Sequence, residues 1–261
     1  MSQRRLDTVL AERGLFTSRT AAAASVRAGE VRIGADGPVA LKPSQLVEPG
    51  ADLVVAERRR FVSRGGIKLE NALDALGIDV SGRDCLDVGA STGGFVDCLL
   101  QRGAARVTAI DVARGQLDWK LRNEPRVTVL EGLNARNLDR YALLYSPSLV
   151  TVDLSFISLA KVLPAVASVI DDGGELLALV KPQFELGRER VGKGGVVRSA
   201  DDRRDALLSA ARAANAAELG VRGFASSGLP GPKGNRESFL WCVRGEPGVA
   251  AIEDAARGVE P

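Results

Sequence analysis

From residue 84 onward, short apolar runs alternate with stretches of helical periodicity, and this alternation constrains the fold more than any other feature of the chain. The apolar runs lie at residues 85–88, 107–110, 127–130, 149–152 and 176–180. Such runs, separated by helical segments, are typical of parallel strands covered by helices on both faces. Two more runs, at residues 223–227 and 238–243, flank a turn-rich stretch and predict a terminal antiparallel pair. The sequence therefore predicts an α/β fold with a mostly parallel, seven-stranded sheet.

The first 55 residues follow a different pattern. Apolar side chains at helical spacing from residue 6 end at Gly14, and Thr17-Ser18-Arg19 offers an N-cap for a second helix over residues 21–26. Short apolar runs bounded by turns then predict small strands near Val31, Ile33, Val39, Val47 and residues 53–55. Two helices followed by small strands form a compact α+β unit that is too small for a large core.

The segment between these two patterns has no hydrophobic periodicity. It is followed by a helical pattern over residues 68–76, and another helical pattern lies within residues 247–261. We therefore expect three parts: a small α+β domain at residues 1–57, a linker at 58–63 and a larger domain at 64–261.

The chain contains no histidine. This removes the commonest general base, the commonest metal ligand and every pairing of a serine or cysteine nucleophile with histidine. The cysteines are odd in number and too widely spaced for a disulfide framework or a zinc cluster: Cys85, Cys98 and Cys242. We therefore expect buried thiols, no metal site, and chemistry that depends on lysine, acidic side chains or backbone dipoles.

Apolar segments and charge also bear on location and partners. No run of about 18 apolar residues predicts a membrane span, and the N-terminus lacks the apolar core of a secretory signal, so we expect a cytoplasmic protein without a membrane partner. Residues 1–60 hold ten lysines and arginines against seven acidic residues, whereas the remainder is nearly neutral. A basic N-terminal segment followed by a nearly neutral remainder indicates that the N-terminal segment contacts a polyanion.

A glycine-rich turn follows the first buried strand, at Asp87-Val88-Gly89-Ala90-Ser91-Thr92-Gly93-Gly94-Phe95. It is not a phosphate-binding Walker loop, and Ser91 stands where a dinucleotide fingerprint would need its second glycine. Asp87 ends this strand and Asp111 ends the next one, where carboxylates accept hydrogen bonds from ribose hydroxyls. This pattern favours a nucleoside cofactor without phosphates, such as S-adenosylmethionine. The alternative is that Asp87 and Asp111 are only turn residues at strand ends.

Five blocks of the sequence occur in an order that is known from one family. They lie at residues 63–69, 87–95, 152–159, 179–185 and 234–241. Over nearly the whole chain they closely resemble the TlyA (hemolysin A) family of ribosomal RNA methyltransferases. The resemblance implies an S4-type RNA-binding domain at the front and an FtsJ-like, Rossmann-like class I methyltransferase domain behind it. Phe61 stands where relatives tend to carry tryptophan, which bears on how the two domains communicate.

The resemblance also implies site residues. The Lys-Asp-Lys-Glu catalytic set of the family falls on Lys68, Asp153, Lys181 and Glu237. The cofactor positions fall on Gly89, Ser91, Thr92, Gly93 and Asp111, with Asn134 beside the adenine. Relatives use S-adenosylmethionine to methylate the 2′-hydroxyl of a cytidine ribose in 23S rRNA, and dual-target members also modify 16S rRNA. The N-terminal lead and the C-terminal tail favour the dual-target type.

These residue types suit the implied chemistry. A ribose hydroxyl is a weak nucleophile, so positioning supplies much of the acceleration. We expect Lys181 to bind or deprotonate the hydroxyl, helped by the neighbouring charge of Lys68. Asp153 and Glu237 would hold the two ammonium groups in place. The alternative is that Lys181 and Glu237 form an ordinary surface ion pair.

Most basic residues of the N-terminal unit are arginines, and a planar guanidinium group can donate two hydrogen bonds to one phosphate. We expect those of the front helices, together with others that continue through the linker, to contact RNA. The candidates are Arg4, Arg5, Arg19, Arg27, Arg60 and Arg64, with Arg58 and Arg59 in the same stripe. Residues 181–198 are rich in glycine and predict a mobile loop over a flipped target nucleotide. The expected partner is ribosomal RNA or a ribosomal subunit, bound by a monomer.

Several other functions fit parts of the pattern. Base amino-group methyltransferases usually carry Asp/Asn-Pro-Pro-Tyr/Phe where this chain has Asp153-Leu154-Ser155-Phe156, and carbon-5 methylation needs an accessible cysteine. A nicotinamide dehydrogenase would need a glycine turn that accepts phosphate. A non-catalytic S4-type RNA-binding protein would not need the Lys-Asp-Lys-Glu set. A cytolytic protein, which the hemolysin name suggests, would need an apolar surface that the sequence does not predict.

Overall fold

The computed structural model describes residues 3–27, 29–55 and 60–260. The chain forms two compact units, Met1–Arg60 and Phe61–Pro261, each with its own hydrophobic core. Arg58 and Arg59, which the sequence assigns to the basic linker, lie outside the described residues.

The described residues of the first unit form two helices and two small antiparallel sheets. Its elements are β1 (Arg4–Arg5), α1 (Leu6–Glu12), α2 (Arg19–Arg27), β2 (Val31–Ile33), β3 (Leu46–Val47) and β4 (Leu53–Val55). Strand β1 pairs with β3, and β2 pairs with β4. Ser18 caps α2, because its Oγ accepts a hydrogen bond from the Ala21 amide at 3.1 Å. The predicted arrangement of two helices and small strands is confirmed.

One expectation about the first unit is wrong. Arg4 and Arg5 do not belong to the front helices but form a strand that pairs with Leu46–Val47. Two consecutive exposed arginines carry no hydrophobic periodicity, so their strand depends on a partner more than 40 residues away along the chain. Arg32 lies in β2, one of the strands that the sequence predicts.

The second unit alternates strands and helices. Its strands are β5 (Asp84–Val88), β6 (Arg106–Asp111), β7 (Val127–Glu131), β8 (Leu149–Val152), β9 (Glu175–Val180), β10 (Leu219–Ser226) and β11 (Ser238–Arg244). Its helices are α3 (Arg64–Leu76), α4 (Gly94–Gln101), α5 (Trp119–Arg122), α6 (Leu163–Ala167), α7 (Pro182–Glu185), α8 (Ala200–Ala216) and α9 (Ile252–Val259).

The strands form one seven-stranded sheet in the order β10-β11-β9-β8-β5-β6-β7. Neighbours from β9 to β7 are parallel, and β11 runs antiparallel to both β9 and β10. The predicted parallel sheet with a terminal antiparallel pair is therefore confirmed.

Two hydrophobic cores lie on opposite faces of this sheet. Consecutive strand residues point to opposite faces, so Leu176 and Leu240 enter one core, while their neighbours Leu177 and Phe239 enter the other. Helices α6, α8 and α9 contribute to the first core, and α3 and α4 contribute to the second. This burial on both faces explains the continuous apolar runs in the sequence.

Helix α3 begins four residues earlier than the hydrophobic pattern predicts. Ser63 is its N-cap, with Oγ accepting from the Gly65 amide at 3.3 Å. Phe61 is buried, and a Cβ on Gly66 would overlap its ring. The Val62 amide donates to Asp97 at 2.8 Å. Residues 61–63 of the predicted linker are therefore packed into the second unit.

Among residues 3–27, 29–55 and 60–260 no helix is long and apolar enough to cross a membrane, and no three acidic or cysteine side chains cluster in a way that could hold a metal ion.

Candidate active site

The turn between β5 and α4 brings the backbone close to the end of β8. Gly89 and Gly93 have φ angles of 90° and 95°, in the left-handed region that favours glycine. A Cβ on Gly89 would overlap the Asp153 carbonyl oxygen, and one on Gly93 would overlap a leucine of α5. Thr92 is exposed, and its carbonyl oxygen accepts from the Asp118 amide at 3.2 Å. The turn therefore offers a shallow backbone cradle at the carboxyl edge of the sheet.

Asp111, at the end of β6, is tied to this turn. Its Oδ2 accepts from the Ser91 amide and its Oδ1 from the Ala113 amide, both at 2.8 Å. Ser91 has a φ of 48°, so this bond helps to hold an uncommon backbone conformation for a residue with a side chain. Each carboxylate oxygen can accept a second hydrogen bond, so the half-buried Asp111 fixes the turn and keeps acceptor capacity for a ligand.

The segment after β7 is held beside Asp111 as well. The amides of Gly132 and Leu133 donate to the Asp111 carbonyl oxygen at 2.8 and 3.1 Å. The Asn134 side chain accepts from the Arg136 amide at 3.0 Å and so caps a short 3-10 turn. Asn134 therefore lies at the same edge as the glycine turn, with its amide NH2 group available as a donor.

Asp87 is the most unusual acidic side chain of this edge. It is 1% exposed; its Oδ1 accepts from Thr151 Oγ1 at 2.7 Å, and its Oδ2 has no partner among the described residues. Burial raises the pKa of this carboxyl to about 7, with the Thr151 hydrogen bond acting the other way. A buried acceptor without a partner is costly, which makes this position suited to a ligand that donates to it.

The Asp87 carboxyl makes the fold's stability depend on pH. Its pKa in the folded chain exceeds the ordinary 3.8, so between about pH 4 and 7 the folded state binds more protons than the unfolded state. Stability contributed at low pH is therefore lost as the pH rises. We expect Asp87→Asn, without added ligand, to raise the free energy of unfolding at pH 8 by about 1–3 kcal/mol, since an unpaired amide offsets part of the gain.

Urea titration followed by tryptophan fluorescence measures this change in the second unit, which holds both tryptophans, Trp119 and Trp241. The gain should vanish at pH 4, where the wild-type carboxyl is protonated in the folded state. A destabilised variant at pH 8, or the same difference at both pH values, would contradict this account.

Lys181 follows β9 and meets residues that follow β8. Its Nζ lies 2.5 Å from Asp153 Oδ1 and donates to Ser155 Oγ at 3.1 Å. The contact with Asp153 is an ion pair without the angles of a directed hydrogen bond. The Lys181 side chain is 12% exposed and the Asp153 side chain is 28% exposed, so solvent reaches this ion pair mainly at Asp153.

Lys68 and Glu237 form a second ion pair, which is more deeply buried. Lys68 lies in α3 and Glu237 immediately precedes β11, and their side chains are only 9% and 2% exposed. Taking two charges out of water is costly unless they neutralise each other, so each of these groups depends on its partner. The charge of Lys68 is thus compensated by Glu237.

The sheet register brings the two ion pairs together. Val180 pairs with Ser238 in antiparallel register, so the next residues, Lys181 and Glu237, lie side by side at the carboxyl edge. Asp153 follows β8, the strand on the other side of β9. All four predicted side chains therefore reach one edge of the sheet. The alternative of a surface pair between Lys181 and Glu237 does not occur, because each has a different partner.

The loop after Asp153 carries features that the sequence did not reveal. Phe156 has a φ of 65° and is 91% exposed, with its ring centroid 5.2 Å from that of Phe184. Glu185 holds the end of this loop, accepting from Ser158 Oγ at 2.7 Å and from the Leu159 amide at 2.9 Å. Burial raises the pKa of Glu185. These bonds offset the backbone strain that Phe156 introduces.

The cysteines are remote from this chemistry. All three are fully buried and form no disulfide. Burial raises the pKa of the Cys85 thiol to about 12 and also raises that of Cys242, so neither is a ready nucleophile. Their expected packing as small core side chains is confirmed.

The arginines predicted to contact RNA are exposed, but several already have partners. Arg4 pairs with Glu12 at 2.6 Å, while Arg5 and Arg19 share Asp7 at 2.8 and 3.3 Å. The hydrogen bond from Arg5, more than any other contact, lowers the pKa of the buried Asp7 carboxyl to about 2. Asp7 therefore stays ionised and holds two guanidinium groups at the surface of the first unit.

The remaining predicted arginines differ among themselves. Arg27 is exposed and pairs with no acid among the described residues, and Arg60 is exposed as well. Arg64 donates to the Pro230 carbonyl oxygen at 3.0 Å, so it supports a loop of the second unit.

Comparison with known proteins shows the family to which this chain belongs. Residues 61–244 match the FtsJ-like methyltransferase family. The protein named 16S/23S rRNA (cytidine-2′-O)-methyltransferase TlyA of Mycobacterium tuberculosis is 51% identical over 241 residues, which cover 91% of this chain and 88% of the relative. This chain belongs to the TlyA family of FtsJ-like methyltransferases. Residues 4–53 of this TlyA-family chain match the S4 domain.

Two further relatives agree with this assignment. A candidate rRNA methyltransferase of Bacillus subtilis is 39% identical to the TlyA-family chain over 255 residues, which cover 96% of this chain and 90% of the relative. The solved structure of a candidate hemolysin from Streptococcus thermophilus is 38% identical with a TM-score of 0.74, and the match covers 99% of this chain and 96% of that chain. The resemblance predicted from the five sequence blocks is confirmed.

Proposed function

We propose that this TlyA-family protein uses S-adenosylmethionine to methylate the 2′-hydroxyl of a cytidine ribose in ribosomal RNA, in 23S and also in 16S rRNA. The name of the Mycobacterium tuberculosis relative supports this substrate. The observation that carries the proposal is the Lys181 amine, which stands at the carboxyl edge of the sheet between Asp153 and Ser155.

The residues around the glycine turn fit the cofactor. S-adenosylmethionine, when bound, supplies an electrophilic methyl group on a sulfonium. Its ammonium group would satisfy the unpartnered Oδ2 of Asp87, and its ribose hydroxyls would donate to Asp111. The missing side chains at Gly89 and Gly93 leave room for a close approach to the backbone of the turn, with Ser91 and Thr92 at its exposed side. Asn134 would lie beside the adenine.

Four side chains would act on the ribose. Lys181 binds the 2′ oxygen and, as the neutral amine, takes its proton. Asp153 holds Lys181 in place and balances positive charge near the cofactor. The Lys68–Glu237 pair forms the rigid, neutral wall beside them. The strained, exposed Phe156 offers an aromatic face on which a base taken out of its stack can rest.

RNA recognition would be divided between the two domains. We propose that the S4-like domain, residues 1–57, binds RNA through exposed arginines, foremost Arg4 and Arg19, then Arg5 and Arg27. Surface ion pairs contribute little, so phosphate can compete for these guanidinium groups. Arg60, at the end of the first unit, and Arg64, at the start of α3 in the second unit, would add further contacts with the RNA. The enzyme would act as a monomer on ribosomal subunits in the cytoplasm.

Mapping of ribose methylation by mass spectrometry tests this function. Ribosomal RNA from cells that lack the protein should lose a 2′-O-methylcytidine in 23S rRNA and another in 16S rRNA, and both should return when the gene is restored. Purified protein should transfer labelled methyl groups from S-adenosylmethionine to the unmodified RNA. An unchanged methylation map, together with no transfer by the purified protein, would refute the proposal in favour of a non-catalytic RNA-binding role.

A further inference from the structure

Two loops meet at Asn235, two residues before Glu237. One is the glycine-rich loop at residues 187–198, and the other is the loop at residues 227–236 that leads from β10 into β11. A Cβ on Gly231 would overlap the Glu237 carboxylate, so the second loop covers this catalytic candidate closely.

The Asn235 side chain joins these two loops. It is 2% exposed; its amide nitrogen donates to the Gly195 carbonyl oxygen at 2.7 Å, and its oxygen accepts from the Val197 amide at 2.9 Å. Its own carbonyl oxygen accepts from the Gly231 amide at 2.8 Å. The buried Asn235 side chain therefore forms hydrogen bonds with backbone groups of the glycine-rich loop. The Asn235 backbone closes the loop that precedes Glu237.

The joined loops carry several cations. Exposed basic side chains that make no ion pair with any described residue lie on both of them: Arg188, Lys193, Arg198, Lys233 and Arg236. The Lys233 Nζ approaches to 3.9 Å of where a Cβ on Gly195 would stand, so Lys233 lies against the glycine-rich loop. Such a group of unpaired cations beside the candidate active site suits the phosphates that flank a target nucleotide.

We propose that Asn235 is a positioning residue that holds residues 187–198 against the loop before Glu237, so that the two form one wall for RNA phosphates. This inference rests on the proposed function. Aspartate at this position keeps the acceptor for Val197 but loses the donor to Gly195, and alanine loses both. The bonds to Asn235 anchor the C-terminal part of the segment at residues 181–198 for which the sequence predicts a mobile loop.

The test compares Asn235→Ala and Asn235→Asp with Asn215→Ala, which removes an exposed asparagine on α8. Trypsin cleavage after Arg188, Lys193 and Arg198 reports on the glycine-rich loop. We expect cleavage to be about 10-fold faster in Asn235→Ala, because two hydrogen bonds that hold the loop are lost. We expect kcat for methyl transfer to fall about 100-fold through misplacement of the RNA, with KM for RNA raised. Binding of S-adenosylhomocysteine should stay unchanged, and Asn215→Ala should match the wild type.

The outcomes separate the possible roles. Normal trypsin resistance and kinetics in Asn235→Ala would overturn the inference. Unfolding of both Asn235 variants, shown by circular dichroism, or an equal loss of S-adenosylhomocysteine binding would overturn it in favour of a purely structural role. If the wild type transfers no methyl group, the proposed function fails, and the difference in trypsin cleavage still decides whether Asn235 joins the loops.

Discussion

Replacing Lys181 with alanine is expected to lower the rate of methyl transfer about 1,000-fold while leaving the binding of S-adenosylhomocysteine within about twofold. The physical reason is the position of the amine. Lys181 Nζ contacts Asp153 and Ser155, whereas the proposed cofactor positions lie on the glycine turn and at the end of β6. Single-turnover methylation of unmodified rRNA measures the rate, and calorimetry measures the binding.

Two controls sharpen this prediction. Lys161→Ala removes an exposed lysine that forms no ion pair with the described residues, and its methylation rate should equal that of the wild type. Lys181→Arg keeps the positive charge but cannot give up its proton, so it should remain as inactive as the alanine variant if Lys181 takes the hydroxyl proton. Recovery of most activity by arginine would assign Lys181 a purely electrostatic role. Full turnover by Lys181→Ala would remove it from the mechanism.

The buried Lys68–Glu237 pair gives the second large effect, which is on stability. Glu237→Gln leaves the Lys68 ammonium without a counter-charge in a site where the side chains are only 9% and 2% exposed. We expect this change to lower the free energy of unfolding by about 3–5 kcal/mol. Urea titration monitored by tryptophan fluorescence in the second unit measures the loss.

A double variant distinguishes charge from packing. Lys68→Met combined with Glu237→Gln removes both charges, so most of the stability should return, but methyl transfer should not. Arg257→Met is the matched control, because the Arg257–Asp254 pair is 64% and 76% exposed and should contribute little. If Glu237→Gln changed stability no more than Arg257→Met, the buried pair would have no special importance.

The strands of the second unit could be predicted because burial on both faces leaves a continuous apolar run. The residue types of the candidate catalytic set were also visible, but their pairing was not. Lys68 and Glu237 are 169 residues apart, and no local pattern indicates that Glu237 pairs with Lys68 rather than with Lys181, its neighbour at the edge of the sheet. Likewise, nothing in the local sequence of Asn235 indicates hydrogen bonds to a loop 40 residues earlier.

Polar local signals were harder to interpret than apolar ones. The early start of α3 depends on one capping serine, Ser63, and the strand at Arg4–Arg5 depends on its partner. The sequence predicted arginines that contact RNA but not their ion pairs, since the buried Asp7 holds Arg5 and Arg19 through contacts that composition cannot reveal.

The place of β11 in the sheet has a consequence for how this protein is made. Strand β11 is synthesised after β10 but lies between β10 and β9. A growing chain that stops before residue 238 therefore holds β10 without the strand that attaches it to the sheet. Until Glu237 has emerged from the ribosome, Lys68 also lacks its counter-charge. A partly translated copy therefore lacks both the complete sheet and the ion pair of its candidate site.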